Sequence, residues 1–262
     1  MGIFIWDTAP SKIFVWWSEV SSVRAGDTKV RPVWPGKDYL CFTAETAWST
    51  VKLTKTWSPS SVTLETSTDW QTWAAYTINN TITLTNVWDK VYWRNTSGTT
   101  TWFSLGSSNY YQFVMTWSIS ASGEISSLIN KNLTDFISGN VSFNLLFKSC
   151  TSLTVSPKIS ISTLTQYCFY QMFMWCTNLE SLPKLSAATF PNYCCREMFR
   201  NCSKIKISST KTWSYQTSYR IPAEWTWTVG TNSLNWMLMN TWWTFTWTPT
   251  INTTYYTSNT VV

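Results

Sequence analysis

Three stretches decide how this chain is read: Leu146-Phe147-Lys148-Ser149-Cys150, Met172-Phe173-Met174-Trp175-Cys176 and Met198-Phe199-Arg200-Asn201-Cys202. The step between them is 26 residues both times. The flanking residues keep that step: Leu153, Leu179 and Ile205 after each stretch, Cys168 and Cys194 before the second and third, and the pairs Pro157-Lys158 and Pro183-Lys184. A fourth, degenerate copy, Met237-Leu238-Met239-Asn240-Thr241, follows a longer insertion. Self-similarity at a fixed period of this size marks stacked supersecondary units, because one unit cannot bury its own apolar face.

Within one copy, Cys168, Met172 and Cys176 recur at i, i+4 and i+8, with Phe169 and Phe173 beside them. That spacing predicts an apolar helical face. Leu179, Leu182 and Leu185 then read as an extended edge. The expected buried set is Phe147, Cys150, Leu153, Cys168, Met172, Phe173, Cys176, Leu179, Cys194, Met198, Phe199, Cys202 and Ile205. The residue before the last position of each stretch is Ser149, Trp175, Asn201 and Asn240 in turn. A left-handed helix end is expected there, which Asn and Gly tolerate and a bulky residue resists.

The rest of the chain reads as β-structure. Residues 1–38 carry a ten-residue repeat, with Trp6, Trp16 and Gly26 in register and Ile13, Val23 and Val33 likewise. A β-meander arm is expected. Residues 39–118 show period-2 alternation, as in Val62-Thr63-Leu64-Glu65-Thr66, and predict an immunoglobulin- or fibronectin-like sandwich. Its strands are placed at 39–44, 50–55, 61–67, 74–78, 81–86, 90–95 and 111–117. Residues 119–140 form a connector, and residues 141–262 the array with its C-terminal cap. The fold class expected is mainly β with short helices (α+β): a β arm, a sandwich-like module and a short leucine-rich-repeat-like solenoid.

Composition narrows function. The chain of 262 residues has no histidine, 12% charged residues and a net charge of +6. Without histidine, Ser-His-Asp and Cys-His catalysis and histidine-containing zinc sites are excluded. The scattered Lys and Arg argue against nucleic acid as a partner. No cofactor motif, phosphate loop or nucleophile elbow is present. The N-terminus lacks the basic and apolar regions of a signal peptide. Six of the seven cysteines fall in the array, and read as a ladder of buried thiols, with vertical disulfides as the next reading and zinc as the least favoured. Ser67-Thr68-Asp69-Trp70-Gln71-Thr72-Trp73 reads as an Asp-turn hairpin with Trp73 packed on the sandwich core. Tyr167, Tyr170 and Tyr193 are candidate ligand-facing aromatics, against a structural reading as array edge.

The tryptophans sit in unusual places. There are 20, against 8 glycines, where average usage predicts roughly 18 glycines. Trp88, Trp70 and Trp242-Trp243 occupy positions where tight turns call for glycine or asparagine. Some bacterial lineages and their phages decode UGA as glycine, and translation of such a gene by the standard table of a UGA-tryptophan code would place Trp there. Trp73, by contrast, reads as a true tryptophan, and Trp93 is the second candidate for one.

The pattern Tyr-Cys-x-x-x-Met-Phe-x-[Gly/Asn]-Cys-[Thr/Ser]-x-Leu-x-x-x-Pro-x-Leu resembles the BspA-like leucine-rich-repeat surface proteins, of phage-encoded or mobile-element type, over residues 141–207. The resemblance implies adhesion. It predicts a non-catalytic surface or virion-associated attachment protein, outside the cell or on a virion. Its partner would be a protein or glycan on a cell surface, or other virion proteins, with homo-oligomerisation and without membrane insertion. The alternatives are a purely structural virion or surface-layer component, and a carbohydrate-active enzyme using carboxylates such as Asp69 or Glu197.

Overall fold

The computed structural model describes residues 23–25, 28–30, 37–57, 62–98, 103–104, 108–133, 143–225, 228–243 and 248–262. The chain divides into two compact units, Met1–Lys37 and Asp38–Val262. In the first, β1 (Val23–Ala25) and β2 (Thr28–Val30) form an antiparallel hairpin. The remainder of the expected meander, including Trp6 and Trp16, lies outside the described residues.

In the second unit, strands occur where the alternation placed them: β3 (Leu40–Ala44), β4 (Ser49–Lys55), β5 (Leu64–Ser67), β6 (Ala74–Tyr76), β7 (Ile82–Leu84), β8 (Lys90–Asn95) and β9 (Tyr111–Thr116). β10 (Ile119–Ser122) and β11 (Leu153–Val155) complete two sheets, ordered β11-β10-β3-β8-β5-β6 and β7-β4-β9. β4 shows the logic: Val51 and Leu53 are fully buried while Thr50, Lys52 and Thr54 alternate outward. Phe42 and Trp93 of the larger sheet meet Phe113 of the smaller one edge-on, at 4.8 and 5.2 Å between centroids. This aromatic cluster binds the two sheets together, each ring contributing its buried area and an edge-to-face term.

The helices expected in the array do not form. Among the described residues the sole helix is one 3-10 turn, Ile125–Leu128. The segments 143–150, 167–176, 193–202 and 232–241 are instead chains of consecutive four-residue turns. Phe147, Phe169 and Phe173 each accept from the residue three further on, as do Thr165 and Gln171. The residue before each alternate closing N–H is left-handed: Leu145 and Ser149; Tyr167, Gln171 and Trp175; Tyr193, Glu197 and Asn201; Asn232, Trp236 and Asn240. A positive φ at the third position is the signature of a type II turn. Its recurrence every four residues explains the helix-like i, i+4 pattern in a chain that is not helical.

The turns free every second N–H to point along the array. Tyr167, Phe169, Gln171, Phe173 and Trp175 donate to Asn192, Cys194, Arg196, Met198 and Arg200 of the next copy, and the pattern repeats on either side. Backbone donors that a helix would use internally thus join the copies. Phe147, Phe173 and Phe199 stack in a column, 5.3 and 5.5 Å apart and within 2° of parallel.

The expected solenoid does not form either. β12 (Ser181–Leu182) pairs with β19 (Thr260–Val261), not with the equivalent strand of a neighbouring copy. β13 (Thr189–Phe190) pairs with β16 (Thr228–Val229), and β14 (Lys206–Ser208) with β17 (Trp242–Trp243) and β18 (Thr253–Thr257). β15 (Thr217–Ile221) completes the last sheet beside β18. Among the described residues the fold is therefore mainly β with a single 3-10 turn, in several small sheets rather than one continuous repeat-to-repeat sheet. The physical reason is edge competition at β12 and β14, whose edges the C-terminal strands β19 and β18 take, while β13 with β16 joins matching positions of the third and fourth copies. Asn259 fastens this end, donating to the carbonyls of Glu180 and Lys204 and accepting from the Lys206 N–H. Trp242-Trp243, expected as a turn, is strand β17.

Candidate functional site

The turn rows place their left-handed residues in columns across the copies. The first column brings Tyr167 and Tyr193 face to face, 5.0 Å between centroids and 3° from parallel. Tyr170 meets Tyr167 edge-on at 5.8 Å. All three expected ligand-facing tyrosines therefore lie together on the outside of the array. Tyr167 is 38% exposed, and Tyr170 and Tyr193 are half-buried. Burial and the nearby Glu197 carboxylate push the Tyr170 phenol above its ordinary value, in that order.

The second column carries polar partners that the motif reading missed. Glu197 is buried at 3% exposure. Its Oε2 accepts from Arg200 Nη1 at 2.9 Å and Gln171 Nε2 at 2.9 Å, and its Oε1 from Arg196 Nε at 3.2 Å. Gln171 Nε2 also donates to the Tyr170 hydroxyl at 3.0 Å. Arg196 lies 5.7 Å from the Tyr193 ring and 5.0 Å from that of Trp236. A buried carboxylate needs such pairing. The signal was present in the sequence, since Gln171 and Glu197 share the 26-residue register of the tyrosines.

The other singled-out residues serve the interior. Phe147, Cys150, Leu153, Cys168, Met172, Phe173, Cys176, Leu179, Cys194, Met198, Phe199, Cys202 and Ile205 are all buried. The cysteines are free thiols. Cys150, Cys176 and Cys202 donate across copies to the carbonyls of Phe113, Phe147 and Phe173, at 3.1, 2.9 and 2.9 Å. Burial raises all three thiols above their ordinary value. Among the described residues no three metal-ligating side chains gather, and no helix is long and apolar enough to cross a membrane.

Asp69 organises its own turn. Its Oδ1 accepts from the N–H groups of Thr72 and Gln71 and from the Ser67 hydroxyl, at 2.7, 2.8 and 2.9 Å. These bonds hold its carboxyl down at about 2. Trp73 is half-buried rather than core, edge-on to Tyr39 at 5.3 Å with the Arg94 guanidinium 3.9 Å over its ring. Trp93 is the core indole, fully buried.

Comparison with protein-family models, with curated proteins and with solved structures gives no match.

Proposed function

We propose that this chain is a non-catalytic, surface or virion-associated attachment protein that binds an acidic protein surface through the face formed by Tyr167, Tyr170, Tyr193 and Arg196. The observation that carries this reading is the parallel Tyr167–Tyr193 stack. Each ring covers one face of the other, and the Arg196 guanidinium lies 5.7 Å from the Tyr193 ring. Tyrosine and arginine side by side are the chemistry enriched at protein interfaces. Two guanidinium groups share one carboxylate at Glu197, which leaves this patch with an excess of positive charge. The chain as a whole carries +6. The resemblance of the repeat to BspA-like surface proteins points the same way.

The test is binding of the labelled chain to a panel of intact bacterial and animal cells. Binding to a subset of them is expected, weakened by salt and abolished by protease treatment of the cells. A Tyr193→Ser/Arg196→Ser variant with an unchanged melt should lose it. Binding that survives protease but yields to glycosidases overturns the protein partner. Absence of binding across cells and purified virion components overturns attachment in favour of a purely structural part.

A further inference from the structure

Among the described residues seven tryptophans occupy left-handed backbone: Trp48, Trp57, Trp70, Trp88, Trp117, Trp175 and Trp236, with φ of 63, 58, 68, 73, 62, 67 and 53°. That region clashes with a side chain's Cβ and is populated chiefly by glycine, then asparagine. We infer that in the protein its source makes, these seven positions are glycine, their codons being UGA read as glycine.

The companions of these residues support the assignment. Among the described residues between 38 and 133, outside the turn rows, the left-handed ones are five of these tryptophans together with Asn79, Gly123 and Leu133. Gly123 is the glycine among them, and a Cβ there would lie 2.0 Å from the Tyr39 carbonyl oxygen. Trp88 is third in the turn Asn86–Asp89, closed by the Asp89 N–H on the Asn86 carbonyl at 3.2 Å. Trp175 holds the same third position in Phe173–Cys176, and Trp236 in Leu234–Met237, in a column where the left-handed residues Gln171 and Glu197 also stand. In the column of Trp175 the other copies carry Ser149, Asn201 and Asn240, all small and all left-handed.

For six of the seven, exposure removes the competing explanation that packing holds the indole in place; Trp70 is half-buried, 5.9 Å from the Tyr39 ring. Trp48, Trp57, Trp88 and Trp117 are 65, 82, 73 and 66% exposed, and Trp175 and Trp236 are also in the exposed class. An exposed indole gains little from its site, so nothing offsets the strained backbone. Trp93 and Trp73 are the internal controls. Neither is left-handed; one fills the core and the other lies beneath Arg94. Seven further glycines would also raise the count from 8 to 15, close to the usual proportion of about 7%.

The substitution changes the binding face. Glycine at 236 removes the indole that lies 5.0 Å from Arg196, leaving that guanidinium more open beside Tyr193.

The experiment reads the codons and then the native protein. UGA is expected at all seven positions and UGG at 73 and 93. Mass spectrometry of the protein purified from its source should find peptides across the seven positions lighter by the indole side chain. UGG at the seven positions, or tryptophan-mass peptides there, overturns the inference. UGA also at 73 and 93, with tryptophan mass at both, means UGA stands for tryptophan in this source and overturns it equally.

Discussion

Phe173 and Phe199 lie in parallel planes, their ring centroids 5.5 Å apart, although 26 residues separate them in the chain. Phe147 covers the other face of Phe173 at 5.3 Å, and Phe113 of the sandwich covers Phe147 in turn. One aromatic column thus runs from the sheets into the third copy. Phe173→Ala should cost about 3–5 kcal/mol, because both of its faces lose a partner and the column cannot collapse from either side. Chemical denaturation of the variant against the parent measures it, and a loss below about 1 kcal/mol would show that the column is not a stabilising element.

Trp175 and Trp93 should respond oppositely to the same substitution. Trp175→Gly, in a chain made with tryptophan, relieves a left-handed bulky residue that costs about 1–2 kcal/mol. That relief competes with the usual entropy cost of glycine, which is small at a position glycine prefers. Trp93→Gly removes a fully buried indole in contact with Phe42, Tyr76 and Phe113 and should cost about 3–5 kcal/mol or more. Thermal melts should move up for the first and down for the second. Equal destabilisation of both would contradict the backbone argument.

The buried thiols should be silent to reagents in the native state. Cys176 and Cys202 are fully buried, donate to backbone carbonyls, and have their ionisation suppressed by burial. Since the thiolate is the reactive form, labelling near neutral pH should be negligible until denaturant opens the array. Rapid native labelling of either residue would mean the copies are not packed as described.

Asp69 gives the stability a pH dependence with a defined sign. Its folded carboxyl sits at about 2, below its ordinary value of 3.8. A carboxylate depressed on folding stabilises above its unfolded value, and that contribution is lost as pH falls through the folded value. Urea midpoints should therefore fall between about pH 4 and about pH 2, and Asp69→Asn should flatten that part of the profile. Asp69 is exposed and salt will weaken its electrostatic part, but the three hydrogen bonds are local. An unaltered acid limb in the variant would assign the loss to other carboxylates.

The sequence alone determined the strands β3 to β9, the 26-residue register and the buried face of each copy. Alternation in Val51 and Leu53, and recurrence at Cys150, Cys176 and Cys202, report which side of the backbone is dry, and burial follows from that side alone. It also pointed to left-handed backbone at Ser149, Trp175, Asn201 and Asn240, because steric preference is a property of the residue itself. The tertiary structure decided what kind of backbone carries that face. An apolar residue every four positions fits both an α-helix and a row of type II turns, and the two differ in the left-handed residue every fourth position and in where the N–H groups go. Here alternate donors such as Phe173 reach the next copy at Met198, a choice that exists only once a neighbour is present to accept. The same holds for the edges. Nothing local to Ser181-Leu182 says that its partner is Thr260-Val261, since strand pairing across so many residues is settled by which edge the folded chain brings within hydrogen-bonding reach.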